Sequence, residues 1–440
     1  MGGGLMQLVA YGAQDVYLTG DPEITFFKVV YRRHTNFAIE SIEQTFNGTA
    51  DFGKKVTCTI SRNGDLINHV YLQVQLPSLS TGLVASGSPT YVSWTNAIGH
   101  ALIRNVEVEI GGQRIDRQFG TWLEIWDELT MTTEKKNGYN QMIGKYASEL
   151  GLIGNSYYER IYYIPLQFWF CRNPGLSLPL VALQYHEVKI IIEFRNAHEC
   201  IVALKANGDR VAIGDNATTF TTTPTITNAQ LYVDYIYLDT NERKLFAATS
   251  HEYLVEQLQF TGAESLSFSQ QNQKLRLNFN HPVKELLWVL QRDENSTSAG
   301  TAYNDWFNFS AAAPGTPSPS HAVDLLADAK LLLNGHERFT VRPQTYFRLV
   351  QPYQHHTRIP DKHIYLYSFA IRPEEHQPSG TCNFSRIDTV QLVYDLTSLS
   401  TLTGIGTGMD TASTGQISVF AVNYNVLRIV SGMAGLAYAN

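Results

Sequence analysis

The chain has 440 residues, which is enough for two to three average domains or for two large β-sandwiches of roughly 200 residues each. Hydrophobic residues make up 44% of it and charged residues 17%, a balance that excludes disordered, collagen-like and coiled-coil proteins. Because the formal net charge is -7, the chain lacks the basic character of a free-standing nucleic-acid binder, and we expect no direct contact with nucleic acid.

The N-terminal residues contain neither the basic nor the long apolar region of a signal peptide, and Met6 stands where a myristoylation signal requires Ser or Thr. The most apolar stretch, 161–171, is too short to span a bilayer. We therefore expect a soluble protein without membrane insertion, made in a reducing compartment. The cysteines form no C-x-x-C pair, which favours free thiols over a zinc site or a disulfide framework: Cys58, Cys171, Cys200 and Cys382.

Alternation of apolar and polar residues, typical of half-buried strands, dominates the chain. Many short strands of this kind, separated by turn residues, indicate sandwiches or barrels. The alternation predicts strands at 24–31, 55–60, 70–76, 106–110, 160–170, 187–194, 230–238, 252–261, 273–279, 286–291, 329–333, 364–370, 387–396 and 416–422.

Helical signals are few. Trp122, Ile125, Trp126 and Leu129 recur at helical spacing, which predicts one amphipathic helix at 118–135. Asp239 followed by Glu242 resembles a capping box and predicts a second short helix at 240–248, which would connect two domains. Long exposed loops rich in Ser, Thr, Gly, Ala or Pro are predicted at 78–91, 214–228, 295–321 and 398–415.

Three segments of the first half are echoed in the same order in the second half, about 200 residues later. Each pair is weak alone, but the shared order indicates two copies of one β-fold, the first ending near 240 and the second starting near 250. The paired segments are 108–114 and 331–337, 163–168 and 365–369, and 233–238 and 422–427.

The candidate catalytic motifs in the sequence are incomplete. The segment 138–145 contains a Gly-Lys pair, but its loop is too long for a phosphate-binding loop and Tyr146 replaces the required Ser or Thr. His355-His356 could bind a metal, although an isolated exposed pair is more commonly part of a plain loop. We therefore expect no enzyme, no cofactor and no metal site. The densest basic cluster, Lys28, Arg32, Arg33 and His34, fits either an acidic partner or a solvated strand end.

Asn-x-Ser/Thr sequences occur at Asn47, Asn216, Asn295, Asn308 and Asn383, and chance occurrence is the default without a signal peptide. Asn295 and Asn308 fall in the longest predicted exposed loop, so they are the glycosylation candidates if any site is modified. Asn383 lies between Cys382 and a predicted strand, so we interpret it as structural.

The run Leu8–Gly20, with the sequence LVAYGAQDVYLTG, resembles the major capsid proteins of nucleocytoplasmic large DNA viruses. Within that family the chain is most similar to the chlorella virus (phycodnavirus) members. The resemblance runs from the first residues to the last, in blocks that are long and rare. The other blocks are 24–28, 31–33, 35–40, 60–66, 183–189, 378–388 and 423–429.

The resemblance implies an all-β fold of two tandem eight-stranded antiparallel jelly-roll barrels, a double jelly roll with a few short helices in its loops. It implies a homotrimer that forms a pseudo-hexameric capsomer, and capsomers that tile the icosahedral shell of a large double-stranded DNA virus. The expected partners are neighbouring capsomers and, on the inner face of the shell, minor capsid proteins. The expected location is the virion, assembled in the host cytoplasm. The expected domains are an inner-face arm at 1–20, a first jelly roll at 21–240, a connector at 241–250 and a second jelly roll at 251–440.

Two other classes of function remain open from the residues alone. A carbohydrate-binding β-sandwich or host-attachment protein would use polar loops and exposed aromatic residues, with Trp306 and Tyr303 as candidates. A β-sandwich glycoside hydrolase would need a pair of carboxylates across a cleft.

Overall fold

The computed structural model describes residues 2–80, 91–147, 151–152, 158–205, 210–211, 223–296, 303–314, 323–404, 409 and 413–438. The chain divides into two compact units, Met1–Phe37 and Ala38–Asn440. The first unit therefore extends beyond the predicted arm at 1–20. We use the name arm for Met1–Phe37 and the name body for Ala38–Asn440.

The arm contains two short helices, Gly3–Val9 and Ala13–Thr19, and none of its described residues is buried. The Asp15 carboxylate accepts a hydrogen bond from the Gly12 backbone N–H at 2.8 Å and closes the first turn of the second helix. The strand predicted at 24–31 is wrong, because residues 24–36 form no strand in this structure. A strand needs a neighbour to satisfy its backbone groups, and this segment has none in the described part of the chain.

Three antiparallel sheets make up the first half of the body. The strand orders are β1-β12-β3-β7 with β8 beside β3, then β2-β9-β5-β6, then β11-β10-β4. The strands are β1 Phe37–Gln44, β2 Lys55–Thr59, β3 Leu66–Leu76, β4 Tyr91–Trp94, β5 Ile103–Ile110, β6 Gln113–Phe119, β7 Arg160–Pro165, β8 Leu178–Pro179, β9 Val188–Phe194, β10 Ile201–Leu204, β11 Arg210–Val211 and β12 Asn228–Leu238.

Two antiparallel sheets make up the second half. The orders are β13-β22-β15-β19, with β20 beside β15 and β23 beside β22, and β14-β21-β16-β17, with β18 beside β16. The strands are β13 His251–Ser267, β14 Gln273–Arg276, β15 Pro282–Arg292, β16 Leu326–Leu333, β17 His336–Glu337, β18 Arg342–Pro343, β19 Tyr365–Ser368, β20 Cys382–Asn383, β21 Val390–Leu396, β22 Thr414–Val430 and β23 Met433–Leu436.

Helices in the body are short. The predicted helix at 118–135 is present as two helices that break at Met131, and the predicted connector helix is Thr240–Ala248. Asp239 is its N-cap residue but makes no side-chain capping hydrogen bond, so the proposed capping box is wrong. The body helices are Ile98–Leu102, Gly120–Thr130, Thr133–Ile143, Trp169–Arg172, Thr240–Ala248, Asp293–Ser296, Gln351–His355 and Leu399–Gly404, with single turns at Pro174–Leu176, Ala197–Glu199, Tyr346–Val350 and Phe384–Arg386. None of the helices described is long and apolar enough to cross a membrane.

Each half of the body encloses its own hydrophobic core between facing sheets. In the first core, Leu72 of β3 packs in one cluster with Val106 of β5 and Ile190 of β9. In the second, Trp288 of β15 packs with Leu392 of β21. Alternation predicts strands such as β3 and β21, in which buried residues alternate with more exposed ones. β15 departs from the rule, since nine of its eleven residues are buried and both of its faces are covered.

The long strands of the second half also contribute to the first core. Val255 of β13 and Leu427 and Ile429 of β22 belong to the cluster that fills the first barrel. The two halves are therefore joined by more than the connector helix Thr240–Ala248. The division at 21–240, 241–250 and 251–440 stays a prediction.

Candidate functional site

An aromatic interface lies between the two barrels. Its second-half side comes from β15 and β22, and its first-half side from the helix Gly120–Thr130. Phe119 meets Phe260 edge to face with ring centroids 4.9 Å apart, and Phe260 stacks on Phe420 at 4.6 Å. Trp122 contacts Phe420 from the other side at 5.8 Å. Aromatic pairs at such distances stabilise by about 0.5–1.5 kcal/mol each beyond the area they bury.

The apolar stripe predicted on this helix accounts for the interface. Trp122, Ile125, Trp126 and Leu129 are all buried, and all belong to the cluster that joins the barrels. The rest of the helix is not solvated, however. Glu124, which interrupts the stripe, is completely buried. A helix buried on all sides needs partners for every charge that it carries.

Lysine and arginine side chains from both halves supply those partners. Lys145 Nζ lies 2.8 Å from Glu124 Oε1, 2.9 Å from Asp127 Oδ2 and 2.7 Å from Glu128 Oε1. From the second half, Lys362 Nζ lies 2.6 Å from Glu124 Oε1. We call this group, with Arg358 at 3.4 Å from Glu128, the carboxylate cluster.

The electrostatics of the carboxylate cluster follow from burial and pairing. Burial alone would raise the pKa of Glu124, but the ammonium groups of Lys145 and Lys362 hold that pKa well below its usual range. Burial alone would lower the pKa of Lys145, but the surrounding carboxylates raise that pKa well above its ordinary value. Asp127 differs, because burial prevails there and its pKa is raised.

The three carboxylates of this cluster have the spacing of a cation site, since one oxygen from each lies within 4.8 Å of the others. The Lys145 ammonium is already within hydrogen-bond distance of all three. The chain therefore provides its own cation at this position, and the arrangement does not require a metal ion. Sequence reasoning overlooked the group, although Glu124, Asp127 and Glu128 at i, i+3 and i+4 share one helix face.

A second set of buried charges lies on the same face of β13 and β15. Lys284 is completely buried, and its Nζ lies 2.7 Å from Glu256 Oε1 and donates to the Pro373 carbonyl at 2.5 Å. Arg172 of the first half lies 2.8 Å from Glu256 Oε2 and stacks over the Trp126 ring at 4.6 Å. These contacts also tie one barrel to the other.

The prediction that His355 and His356 are exposed is wrong for His356. The His356 side chain is completely buried, with its Nε2 3.0 Å from Glu285 Oε2 and its Nδ1 2.8 Å from Glu374 Oε1. Burial alone would lower the pKa of His356, but Glu285 and Glu374 raise it to about 9. With both ring nitrogens bound to carboxylates, His356 acts as a buried cation and has no nitrogen left for a metal.

The glycosylation candidates are not exposed, so the premise of that prediction is wrong. Asn295 is 0% exposed and Asn308 is 3% exposed. Asn295 Nδ2 donates to the Asn308 carbonyl at 3.2 Å, and Asn308 Nδ2 donates to Asp305 Oδ2 at 3.1 Å. A glycan is attached through this nitrogen, so the burial counts against modification of the folded chain. Asn383 caps the turn Phe384–Arg386, as its structural interpretation requires.

The described part of the predicted loop 295–321 packs against the first barrel instead of extending into solvent. Trp306 is buried, and its Nε1 donates a hydrogen bond to the Glu199 carbonyl at 2.7 Å. The Arg195 guanidinium carbon lies over the Trp306 ring, 3.6 Å from its centroid. Asn304 Nδ2 donates to the carbonyl of Ile201 at 2.7 Å. The aromatic surface that a carbohydrate-binding protein would need is therefore not offered by Trp306. Asn216, most of the predicted loops 78–91 and 214–228, and residues 405–408 and 410–412 of the predicted loop 398–415 lie outside the described residues.

The cysteines are free thiols, as expected: Cys58, Cys171 and Cys200 are buried and Cys382 is partly buried. Burial raises the pKa of Cys171 to about 12. Such a thiol is a poor nucleophile at neutral pH.

The exposed apolar surface is concentrated in the arm. Half of the large hydrophobic side chains that are exposed in the described part of the chain fall within its 37 residues, led by Phe27 at 98% and Tyr17 at 92%. Lys28, Arg32 and Arg33 are exposed among them. Exposed apolar side chains concentrated in one segment make the arm a candidate binding surface.

Two family descriptions match the chain. "Major capsid protein N-terminus" covers residues 25–239, and "Large eukaryotic DNA virus major capsid protein" covers residues 242–435. The chain belongs to the major capsid protein family of large eukaryotic DNA viruses. These are structural shell proteins and not enzymes, and they are components of the virion.

Curated relatives match over their whole length. The chain is 52% identical to the major capsid protein of Pyramimonas orientalis virus and 44% identical to that of Paramecium bursaria Chlorella virus 1, with all of both chains covered in each case. Among solved structures, a PBCV-1 VP54 chain matches with a TM-score of 0.76 and 36% identity, covering 94% of this chain and all of the other. The Faustovirus major capsid protein shares the fold at a TM-score of 0.71 and 13% identity, covering 96% of this chain and 94% of the other. The expected all-β double jelly roll is confirmed.

Proposed function

We propose that this chain forms a homotrimer whose six barrels make a pseudo-hexameric capsomer, and that these capsomers tile the icosahedral shell of a large double-stranded DNA virus. The observation that carries the proposal is the joining of two similar barrels by a buried interface of aromatic rings and paired charges. Three copies of such a unit present six barrels, so a three-fold object can occupy a six-fold position in a lattice.

A shell unit must keep its shape under the forces that neighbouring units exert on it. The contacts between the barrels meet that need, because the carboxylate cluster and the Lys284–Glu256–Arg172 set each join first-half residues to second-half residues. Buried ion pairs add little net stability, but they penalise any alternative arrangement that leaves a charge unpaired. We infer that they fix the relative orientation of the two barrels.

The arm is the proposed contact with other shell components. Its exposed apolar residues are unsuited to a permanently solvated segment. We place residues 1–20 of the arm on the inner face of the shell, where minor capsid proteins would bind them, and we place assembly in the host cytoplasm.

Light scattering of the purified full-length chain at micromolar concentration and physiological salt tests the proposal. We expect a stable trimer, and a monomer under these conditions would contradict it. A variant lacking residues 1–20 should keep the trimer and lose assembly into larger shells. If that variant were monomeric, the arm would belong to the trimer contact and not to the inner face.

A further inference from the structure

Segment 24–36 of the arm has a strand-forming sequence but no strand in this structure. Residues 24–31 read Ile-Thr-Phe-Phe-Lys-Val-Val-Tyr, all but the lysine being residues enriched in β-strands. Its side chains are nevertheless solvated, with Phe26 at 87% exposure and Val30 at 82%. Disagreement between local preference and local structure is typical of a functional segment that completes its fold with a partner.

The body offers a matching free edge. β1 is the outermost strand of its sheet and is paired on one side only, with β12, in the described part of the chain. Its first five residues are exposed: Ile39 of the body is 56% exposed, and Phe37, the last residue of the arm, is 54% exposed. A long exposed edge with apolar side chains is normally covered in a folded protein, because its free backbone groups accept another strand.

The charges of the two segments are complementary. All basic residues of the arm lie in 24–36, as Lys28, Arg32, Arg33 and His34, and this segment has no acidic residue. β1 contains exposed Glu40 and Glu43 and no basic residue. Opposite charges across neighbouring strands stabilise their pairing, and like charges oppose it.

We propose that residues 24–31 of one copy bind as an additional strand to the free edge of β1 in a second copy of this chain. We take the partner to be another copy because residues 24–31 and β1 are neighbours in one chain and yet form no hairpin in this structure. Main-chain hydrogen bonds would supply affinity and the charge pattern would supply specificity. The inference rests on the proposed capsid function, since it names a partner for the arm.

Cross-linking between two differently tagged full-length chains tests the proposal. One chain has Val29→Cys and the other has Ile39→Cys, both in a Cys382→Ser background because Cys382 is the native cysteine that is not fully buried. A flexible bis-maleimide is added, so the result does not depend on the register of the strands. We expect a product containing both tags.

The matched control replaces Ile39→Cys by Ile371→Cys, since Ile371 is also an exposed isoleucine, at 69%, on the body. The control should give little mixed product. Equal yields from the two positions would show non-specific collision and would overturn the proposal. So would efficient cross-linking within a single chain carrying both cysteines, without mixed product, because that result means a hairpin.

Charge reversal tests the recognition. Lys28→Glu alone, or Glu40→Lys with Glu43→Lys alone, should lower the mixed product about two- to five-fold, and combining them should restore it. Yields unaffected by either reversal would also overturn the proposal. Light scattering on the same samples separates the two levels of inference: trimers without the cross-link refute only the strand exchange, whereas monomers refute the proposed function.

Discussion

Replacing Lys145 by methionine tests whether the buried charges hold the barrels together. The side chain is 11% exposed, so solvent screens its three ion pairs weakly. After Lys145→Met, Lys362 remains on Glu124 and Arg358 remains on Glu128, but Asp127 loses its one direct ion pair among the described residues. A single uncompensated buried charge costs about 3–5 kcal/mol, and we expect the free energy of unfolding at pH 7 to fall by that amount.

The pH dependence distinguishes lost charge pairing from lost packing. In the native chain the pKa of Glu124 is held low, so its contribution is present above the unfolded pKa near 4.5 and is lost as the pH falls through the folded value. Without Lys145 the carboxylates gain affinity for protons, and Asp127, whose pKa burial already raises, should bind one first. The difference between native and variant chains should therefore shrink from pH 7 to pH 5.

Urea denaturation followed by tryptophan fluorescence measures the effect, because Trp122 and Trp126 lie on the same helix as the cluster. Lys136→Met is the matched control, since Lys136 pairs at 2.7 Å with Asp361, which is 60% exposed, and such a pair is worth at most about 1 kcal/mol. Adding Asp127→Asn to Lys145→Met should recover part of the loss. If Lys145→Met were no more destabilising than Lys136→Met, or if its effect did not depend on pH, the reasoning would be refuted.

Three further outcomes follow from the buried groups. The pKa of His356 is raised to about 9 from an ordinary 6.5, so protonated His356 stabilises the folded chain fully below pH 6.5, and this stabilisation is lost as the pH rises through about 9. Urea denaturation should show an alkaline loss of up to about 3 kcal/mol in the free energy of unfolding, and His356→Gln should abolish that loss. Trp306→Ala should lower the free energy of unfolding by about 3–5 kcal/mol, measured in the same way, and a glycan array should show no binding that depends on Trp306. Peptide mapping by mass spectrometry should find Asn295 and Asn308 unmodified, and a glycan at either would mean that the segment is exposed when the sugar is attached.

The architecture could be predicted from sequence because it depends on repeated local patterns. Alternation located most of the strands, and the helical spacing of Trp122 and Leu129 located the helix at the interface. Long-range pairing could not be read in the same way. Glu124 and Lys362 are far apart in the chain, and only the folded barrels bring their side chains to 2.6 Å.

The two main errors have the same origin. Composition predicted that 295–321 is exposed, but Asn295 and Asn308 are buried with partners inside this segment, and Trp306 donates to the Glu199 carbonyl of the first barrel. Residues 24–31 have the composition of a strand but no neighbouring strand within the described chain. In both cases local sequence gives a preference, and the available partners decide the structure.

The path of β22 has a consequence for synthesis on the ribosome. Leu427 and Ile429, near the end of a strand that begins at Thr414, fill part of the core of the first barrel. Chains are made from the N-terminus and usually fold one domain after another. Here the first barrel cannot complete its core until the last strands have been translated, so a truncated product would keep an unfinished core. The fold thus delays maturation of the first barrel until nearly the whole polypeptide exists, which discourages incomplete chains from entering a shell.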